Sequence, residues 1–239
     1  MKQKLAKLAF VIPAYNEEET IVPTLIDVKK NFAGAPVFVI NDGSEDKTRE
    51  LAKKYGAHVL THVINRGLGA ALATGITAAV EKSDANIIVT FDADLQHTGK
   101  DVRSLIEPIL KNKADAVIGS RFLRKEDLEL MPHTKKIGNL VLTKITNFLT
   151  GTEITDSQSG LRAFTREAAE KILIESDRYE VSSEIIHELS GHGFRIKEVP
   201  IKAIYSPRSA TKGTNIKSGI HILLGMLAKK IGLKARYVK

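Results

Sequence analysis

The feature that most constrains this chain is the repetition of one unit: a short apolar run, closed by a polar turn and followed by helical periodicity. Leu8 to Ile12 closes at Pro13, and Val37 to Ile40 closes at Asn41-Asp42-Gly43. Ile87 to Phe91 and Ala116 to Ile118 repeat the theme, with helical patterns between them over Glu18–Phe32, Asp46–Tyr55, Gly69–Glu81 and Lys100–Lys111. Apolar runs of this length bounded by turn residues read as strands buried on both faces. Strands that alternate with helices predict an α/β fold, a doubly wound and mostly parallel sheet flanked by helices. The 239 residues supply one such domain with a full core rather than two, so we expect a domain over residues 1–210 and a tail over 211–239.

Beyond Arg124 the alternation stops. Pro132 to Thr150 reads as a helix with Ile137, Val141, Ile145, Phe148 and Leu149 on one side and a basic entry of His133, Lys135 and Lys136. A second basic amphipathic helix is expected from Asn215 to about Ile231, with Ile216, Ile220, Leu223, Leu224, Leu227 and Ile231 on a common stripe. Its longest nearly uncharged stretch, Ser218 to Ala228, falls short of the roughly 20 residues that cross a bilayer. From Lys202 onward there are nine Lys or Arg residues and no acid, which accounts for the net charge of +8. Such a tail suits an anionic partner, and charge alone does not choose among nucleic acid, lipid and phosphorylated substrate. The N-terminal segment is basic but runs at once into a strand, without a long apolar core or a small-residue cleavage site, so a cytoplasmic protein is expected. Cysteine is absent, which excludes disulfides and thiolate metal sites and leaves oxygen or imidazole ligands for a hard cation such as Mg²⁺ or Mn²⁺.

Parallel sheets bind ligands beyond the carboxyl ends of their strands, and those positions here are unusually polar. They read Pro13-Ala14-Tyr15-Asn16-Glu17, Asn41-Asp42-Gly43-Ser44, Asp92-Ala93-Asp94-Leu95-Gln96-His97 and Gly119-Ser120-Arg121. The strongest signal is Asp92-Ala93-Asp94, two carboxylates delivered into the crevice with Gln96 and His97 close behind, a set suited to a divalent cation gripping a diphosphate. Asp42 stands where acidic residues of nucleotide-binding sheets accept hydrogen bonds from a nucleoside. The same Asp42-Gly43-Ser44 and Asp46 also have turn and helix-cap chemistry, and the two roles are compatible. Asn65-Arg66-Gly67-Leu68-Gly69 lacks the Gly-Lys-Ser/Thr ending of a P-loop and the full dinucleotide fingerprint, so its glycines serve either a ligand or close helix packing.

Taken in order, Val-Ile-Pro-Ala-Tyr-Asn-Glu, Asn-Asp-Gly-Ser, Asn-Arg-Gly-Leu-Gly, Asp-Ala-Asp-Leu-Gln-His and Gly-Ser-Arg make the chain resemble glycosyltransferase family 2 over roughly residues 7–210. Within that family it is similar to the dolichol-phosphate (polyprenol-phosphate) mannosyl- and glucosyltransferases, through Leu-Gln-His after the acidic pair, Thr155-Asp156-Ser157-Gln158-Ser159-Gly160-Leu161-Arg162, and Tyr205-Ser-Pro-Arg208. The resemblance implies a GT-A catalytic domain and transfer of mannose, glucose or N-acetylglucosamine from a GDP- or UDP-sugar to dolichyl or polyprenyl phosphate, with inversion. It implies that Pro13, Tyr15, Glu17 and Asp42 hold the nucleoside, that Asp92, Ala93, Asp94 and Gln96 organise metal and diphosphate, and that Arg121 and Arg208 meet phosphates. On the acceptor side it points to Asp156, Ser157, Gln158 and Arg162, with Arg162, Lys135 and Lys136 as contacts for the lipid phosphate. Lysines at 135 and 136 stand where relatives often carry arginine, and an ammonium does not reproduce a bidentate fork. Many relatives also continue into transmembrane helices where this chain has a basic amphipathic segment, which suits peripheral contact with an anionic membrane.

Three other readings compete. A family 2 enzyme acting on a hydroxyl of a glycan, lipid or protein would use an acidic base near the acceptor, and Asp156 is placed for it. A nucleic-acid-binding protein would explain the basic balance, but aromatics are only 5% and no recognised binding motif is present, so no nucleic acid is expected. A nucleotidyltransferase would carry a Gly-rich loop near the first strand, which is missing.

Overall fold

The computed structural model describes residues 6–129, 131–176 and 180–204. The expected helix 215–231, the tail boundary at 210 and Arg208 lie outside these residues. Strands β1 (Leu8–Ala14), β2 (Val37–Asp42), β3 (His58–His62), β4 (Ile87–Thr90), β5 (Ala116–Ser120), β6 (Arg162–Thr165) and β7 (Ile196–Pro200) form one sheet in the order β3-β2-β1-β4-β6-β5-β7. The helices are α1 (Ile21–Asn31), α2 (Thr48–Lys54), α3 (Leu68–Lys82), α4 (Asp101–Leu110), α5 (Lys125–Leu128), α6 (His133–Thr150), α7 (Arg166–Lys171) and α8 (Val181–Gly191).

Strand alternation divides the core between two faces. Phe10, Ile12, Val37 and Val39 meet Ile21, Leu25 and Val28 of α1 and Val102, Leu105 and Ile106 of α4. Val11, Phe38 and Ile40 point the other way, onto Ala71, Leu72 and Ile76 of α3, and this second cluster continues to Ile185 and Leu189 of α8. Strands carrying apolar side chains on both faces must be covered on both, hence the layered α/β/α build. Small residues let α3 lie close: a Cβ on Gly75 would come within 2.3 Å of Val11 Cγ1. The chain runs β1, β2, β3 outward and then returns to place β4 on the other side of β1, so the strand order reverses between β1 and β4. That switch point opens the crevice in which such sheets bind ligands.

The mostly parallel sheet matches the sequence reading, with one insertion. β6 pairs antiparallel with both β4 and β5 and restarts the sheet for β7, which is parallel to β5. α6 is a helix as expected, but its core side is not its most apolar side. Leu142, Thr143 and Thr146 are buried, whereas Ile137 (63%), Val141 (50%) and Phe148 (81%) are exposed. The threonines turn inward because hydroxyl partners wait there: Thr143 Oγ1 lies 3.0 Å from Ser157 Oγ, and Thr146 Oγ1 lies 2.8 Å from Ser183 Oγ.

Candidate active site

One border of the crevice is built where β1 and β2 end. Asn16, at φ +52°, turns the chain after β1, its N–H donating to Ser44 Oγ (3.0 Å) while its Oδ1 accepts the N–H of Glu45 (3.0 Å). Glu17 N–H donates to Thr48 Oγ1 (2.8 Å), and Thr20 Oγ1 donates to the buried Glu17 carboxylate at 2.7 Å. Pro13 is half-buried, and Tyr15 remains 44% exposed at the rim. These bonds stitch the two strand ends together, so the expected nucleoside-side residues Pro13, Tyr15, Glu17 and Asp42 share one rigid border. The cap chemistry expected around Asp46 is present, with Thr48 N–H donating to Asp46 Oδ1 at 2.9 Å.

Asp42 is only 3% exposed. Its Oδ1 accepts the N–H of Arg66 (2.9 Å), its Oδ2 accepts the N–H of Gly67 (2.7 Å), and His62 Nδ1 lies 2.6 Å from Oδ1. Gly43 (φ +70°) is required beside it, since a Cβ there would sit 2.5 Å from the backbone nitrogen of Asn65. The Asn-Arg-Gly segment is therefore pinned to the end of β2, with the N–H groups of Arg66 and Gly67 given to Asp42.

Directly after β4 come the two acids. Leu95, at φ +64°, bends the chain so that Gln96 returns to Asp94, donating its backbone N–H to Oδ1 at 3.1 Å and its side-chain amide to Oδ2. His97, nearly buried, lies edge-on to Phe91 and holds Asp92 Oδ2 at 3.0 Å from its Nε2. Ala93 is buried, its carbonyl accepting from Thr24 Oγ1 at 3.1 Å. Across from Asp92 stands Gly160, where a Cβ would collide with Oδ2 at 2.2 Å. Burial pushes the Asp92 carboxyl up, but the His97 hydrogen bond and the charges of His97, Arg162 and Arg121 outweigh it and leave this carboxyl below the usual range. Asp94 goes the other way, raised by burial and then by the charge of Asp92.

Around the ends of β5, β6 and β7 the crevice rests on a buried polar network. Asp156, with a fully buried side chain, takes the backbone N–H of Arg121 (3.1 Å), its Nε (2.7 Å) and its Nη2 (2.8 Å). Glu198 on β7 accepts the N–H groups of Thr155 (2.7 Å) and Asp156 (2.9 Å), fixing the turn that presents this carboxylate. Arg162 is 1% exposed, its Nη2 donating to the carbonyl of Ser157 at 3.0 Å. Burial lowers its pKa to about 10, against the favourable charges of Asp92 and Asp156. Arg162, which the sequence reading sets against the lipid phosphate, is thus buried and under the opposing charges of Asp92 and Asp156. Ser157 is buried against Thr143, and Gln158 Nε2 donates to Ser157 Oγ at 2.9 Å. Lys135 is half-buried, and burial, then Arg121, lower its pKa while Asp94 opposes them, so it faces the same centre. Lys136 follows it in the first turn of α6. The backbone N–H of Ile204 donates to the carbonyl of Gln96 at 3.3 Å, carrying the chain past the acidic loop.

Among the described residues no three His, Asp or Glu side chains gather around one metal position. Asp92 and Asp94 nevertheless fit Mg²⁺ or Mn²⁺, which typically bind one or two protein carboxylates and take their remaining ligands from substrate phosphates and water. The raised Asp94 marks a surplus of negative charge that a cation would neutralise. His62, Glu198 and Thr143 were missed by sequence reasoning. His62 had a faint signal, the alternation of His58 to His62 just upstream of Asn65, and Glu198 had none.

A switch-point crevice with paired carboxylates after its fourth strand and guanidiniums opposite is the build of a GT-A glycosyltransferase. Residues 9–173 match the family described as Glycosyl transferase family 2, and the chain belongs to that family. An uncharacterised protein of Methanocaldococcus jannaschii is 50% identical, with 92% of this chain and 91% of that protein covered. A Methanococcus voltae protein named UDP-N-acetylglucosamine–dolichyl-phosphate N-acetylglucosaminyltransferase is 37% identical, covering 97% of this chain and 98% of its own. In structure the fold resembles Mycobacterium tuberculosis glucosyl-3-phosphoglycerate synthase in complex with Mn²⁺, UDP and glucosyl-3-phosphoglycerate, with TM-score 0.68, 18% identity and coverage of 97% and 82% of the two chains.

Proposed function

We propose that this family 2 glycosyltransferase moves a hexose from a nucleoside-diphosphate sugar to a polyprenyl phosphate, inverting the anomeric carbon. The observation that carries the reading is the state of Asp156. A base for a hydroxyl acceptor needs a carboxylate presented to the acceptor, whereas both Asp156 oxygens are clasped by Arg121. A phosphate monoester, with a second pKa near about 6, arrives already ionised and asks only for positive charge. Arg121 and Lys135, together with Lys136 and Arg208, would supply it. The Methanococcus voltae relative named above, and a Pyrococcus furiosus relative named dolichol-phosphate mannosyltransferase at 29% identity, support the same acceptor class.

In this reading Asp92 and Asp94 hold Mg²⁺ or Mn²⁺, and the cation, when bound, neutralises the diphosphate. An acceptor phosphate oxygen forms the new bond to carbon one of the sugar. The bond from that carbon to the β-phosphate oxygen breaks on the opposite side, and the nucleoside diphosphate departs with the electron pair. Arg121 stabilises charge on the phosphates. Among the described residues no helix is long and apolar enough to cross a membrane. The nine basic residues from Lys202 onward suit reversible attachment to an anionic membrane surface on its cytoplasmic side, where a polyprenol acceptor is met.

The test is transfer from radiolabelled UDP- and GDP-sugars, UDP-N-acetylglucosamine first, to polyprenyl or dolichyl phosphate, with Mg²⁺, Mn²⁺ or EDTA. Metal-dependent labelling of the lipid by one donor, lost in Asp94→Ala, is the expected result. Labelling of a hydroxyl acceptor that Asp156→Asn abolishes, with polyprenyl phosphate inert, would overturn it.

A further inference from the structure

Asp42 is held by more than its own loop. His62, at the end of β3, sets Nδ1 at 2.6 Å from Asp42 Oδ1 and Nε2 at 3.0 Å from Thr74 Oγ1 in the second turn of α3. The imidazole and the carboxylate are both nearly buried, with side-chain exposures of 9% and 5%. An ionised carboxylate only accepts, so Nδ1 carries the proton, and in the neutral ring Nε2 accepts from the Thr74 hydroxyl. The line Thr74–His62–Asp42 therefore joins α3, β3 and β2, and Asp42 passes the constraint on to the backbone N–H groups of Arg66 and Gly67. A carboxylate has about four acceptor positions. Three are filled by His62, Arg66 and Gly67, which leaves one acceptor position, on Oδ2, unfilled among the described residues.

We propose that His62 is a positioning residue of the nucleotide-sugar site, fixing the Asp42 carboxylate so that its one remaining acceptor position faces the nucleoside. This rests on the donor reading above and is independent of the acceptor. Rotation of Asp42 about its side-chain torsion would turn that position away and release the Arg66–Gly67 loop. The cost of losing His62 should thus appear in donor affinity and not in turnover of bound donor.

The experiment measures calorimetric binding of UDP and GDP with Mn²⁺, KM and kcat for the donor, and the unfolding midpoint of each variant. Asparagine places an N–H near the position of Nδ1, glutamine places its amide near Nε2, and phenylalanine has neither. His62→Asn should bind within about twofold of wild type, while His62→Gln and His62→Phe weaken binding and raise donor KM by about tenfold, the worth of one charge-assisted hydrogen bond, at nearly unchanged kcat. Thr74→Val, which keeps the Asp42 contact, should cost about threefold and remains informative if His62→Phe does not fold. Equal binding by all folded variants, or losses that follow the unfolding midpoint regardless of which nitrogen is replaced, would overturn the inference while the donor reading stands. If the wild type bound no nucleoside diphosphate while remaining folded, both would fall together.

Discussion

The two halves of the crevice are fastened in different ways. Around the ends of β2 and β4, backbone N–H groups share the fastening: Asp42 is held in part by those of Arg66 and Gly67, and Asp94 in part by that of Gln96. Around β5 and β6 the fastening is more of side chain against side chain, with Arg121 on Asp156, Thr143 on Ser157, and a buried Arg162 under the charges of Asp92 and Asp156. Backbone N–H donors stay in place when side chains around them are changed, because they belong to the main chain. A buried ionic network has no such reserve, since removing one member leaves another charge uncompensated. The half around β2 and β4 should therefore lose function before stability, and the half around β5 and β6 should lose both together.

The sharpest test pairs one acid with one base. Asp94→Ala should reduce metal-dependent transfer by about 10³-fold, roughly 4 kcal/mol of barrier, while leaving the unfolding midpoint unchanged or raised. Its raised pKa means that the ionised form is disfavoured in the folded protein, so its removal relieves repulsion from Asp92. Arg162→Met should instead destabilise by about 3 kcal/mol, leaving Asp92 and Asp156 without their interior counter-charge, and thermal unfolding reads it directly. Equal losses of stability in these two variants would dissolve the contrast.

Gly160→Ala probes the seam between the halves. The new methyl would displace Asp92, costing about 2 kcal/mol of stability and tens-fold in activity, with Mn²⁺ affinity falling in parallel. Thr143→Val removes the acceptor of the buried Ser157 N–H at 3.1 Å and should cost about 1–2 kcal/mol in denaturant unfolding. The smallest effect is expected at Glu198. Burial, with the charge of Asp156, raises its carboxyl against the pull of the Thr155 and Asp156 N–H groups. A raised carboxyl contributes stability that is fully present below its unfolded pKa and is lost as pH rises through the folded value. Wild type should therefore lose ground to Glu198→Gln by less than about 1 kcal/mol as pH climbs through that window, and a series of unfolding midpoints against pH checks the sign.

The same contrast governs what could be read from the sequence. β1, β2, β4 and β5 announced themselves because strands covered on both faces must be apolar throughout, and their polar ends then stood out against that background. The four helices α1 to α4 lie within three residues of the expected bounds. β3 was missed because an edge strand with His58 and Thr61 exposed lacks that signature. β6 escaped because it is four residues long and opens with a buried arginine, and arginine counts against burial in any pattern based on hydrophobicity. For α6 the periodicity located the helix but not the side that faces the core, since Thr143 and Thr146 are drawn inward by serines that lie far along the chain. Local pattern cannot report partners that only the fold brings near.

The antiparallel insertion of β6 also has a consequence in time. Thr90 waits for the carbonyl of Gly160, 70 residues further along the chain. At a synthesis rate of about 5–20 residues per second, β4 emerges several seconds before the strand that will flank it. During that interval β1 to β4 can pair among themselves, with β4 as an apolar edge open to any passing strand. The acidic pair at its end is without Gly160 and Arg162 for just as long. Synthesis therefore delivers the β1–β4 border of the crevice first and the segment carrying Asp156, Gly160 and Arg162 last.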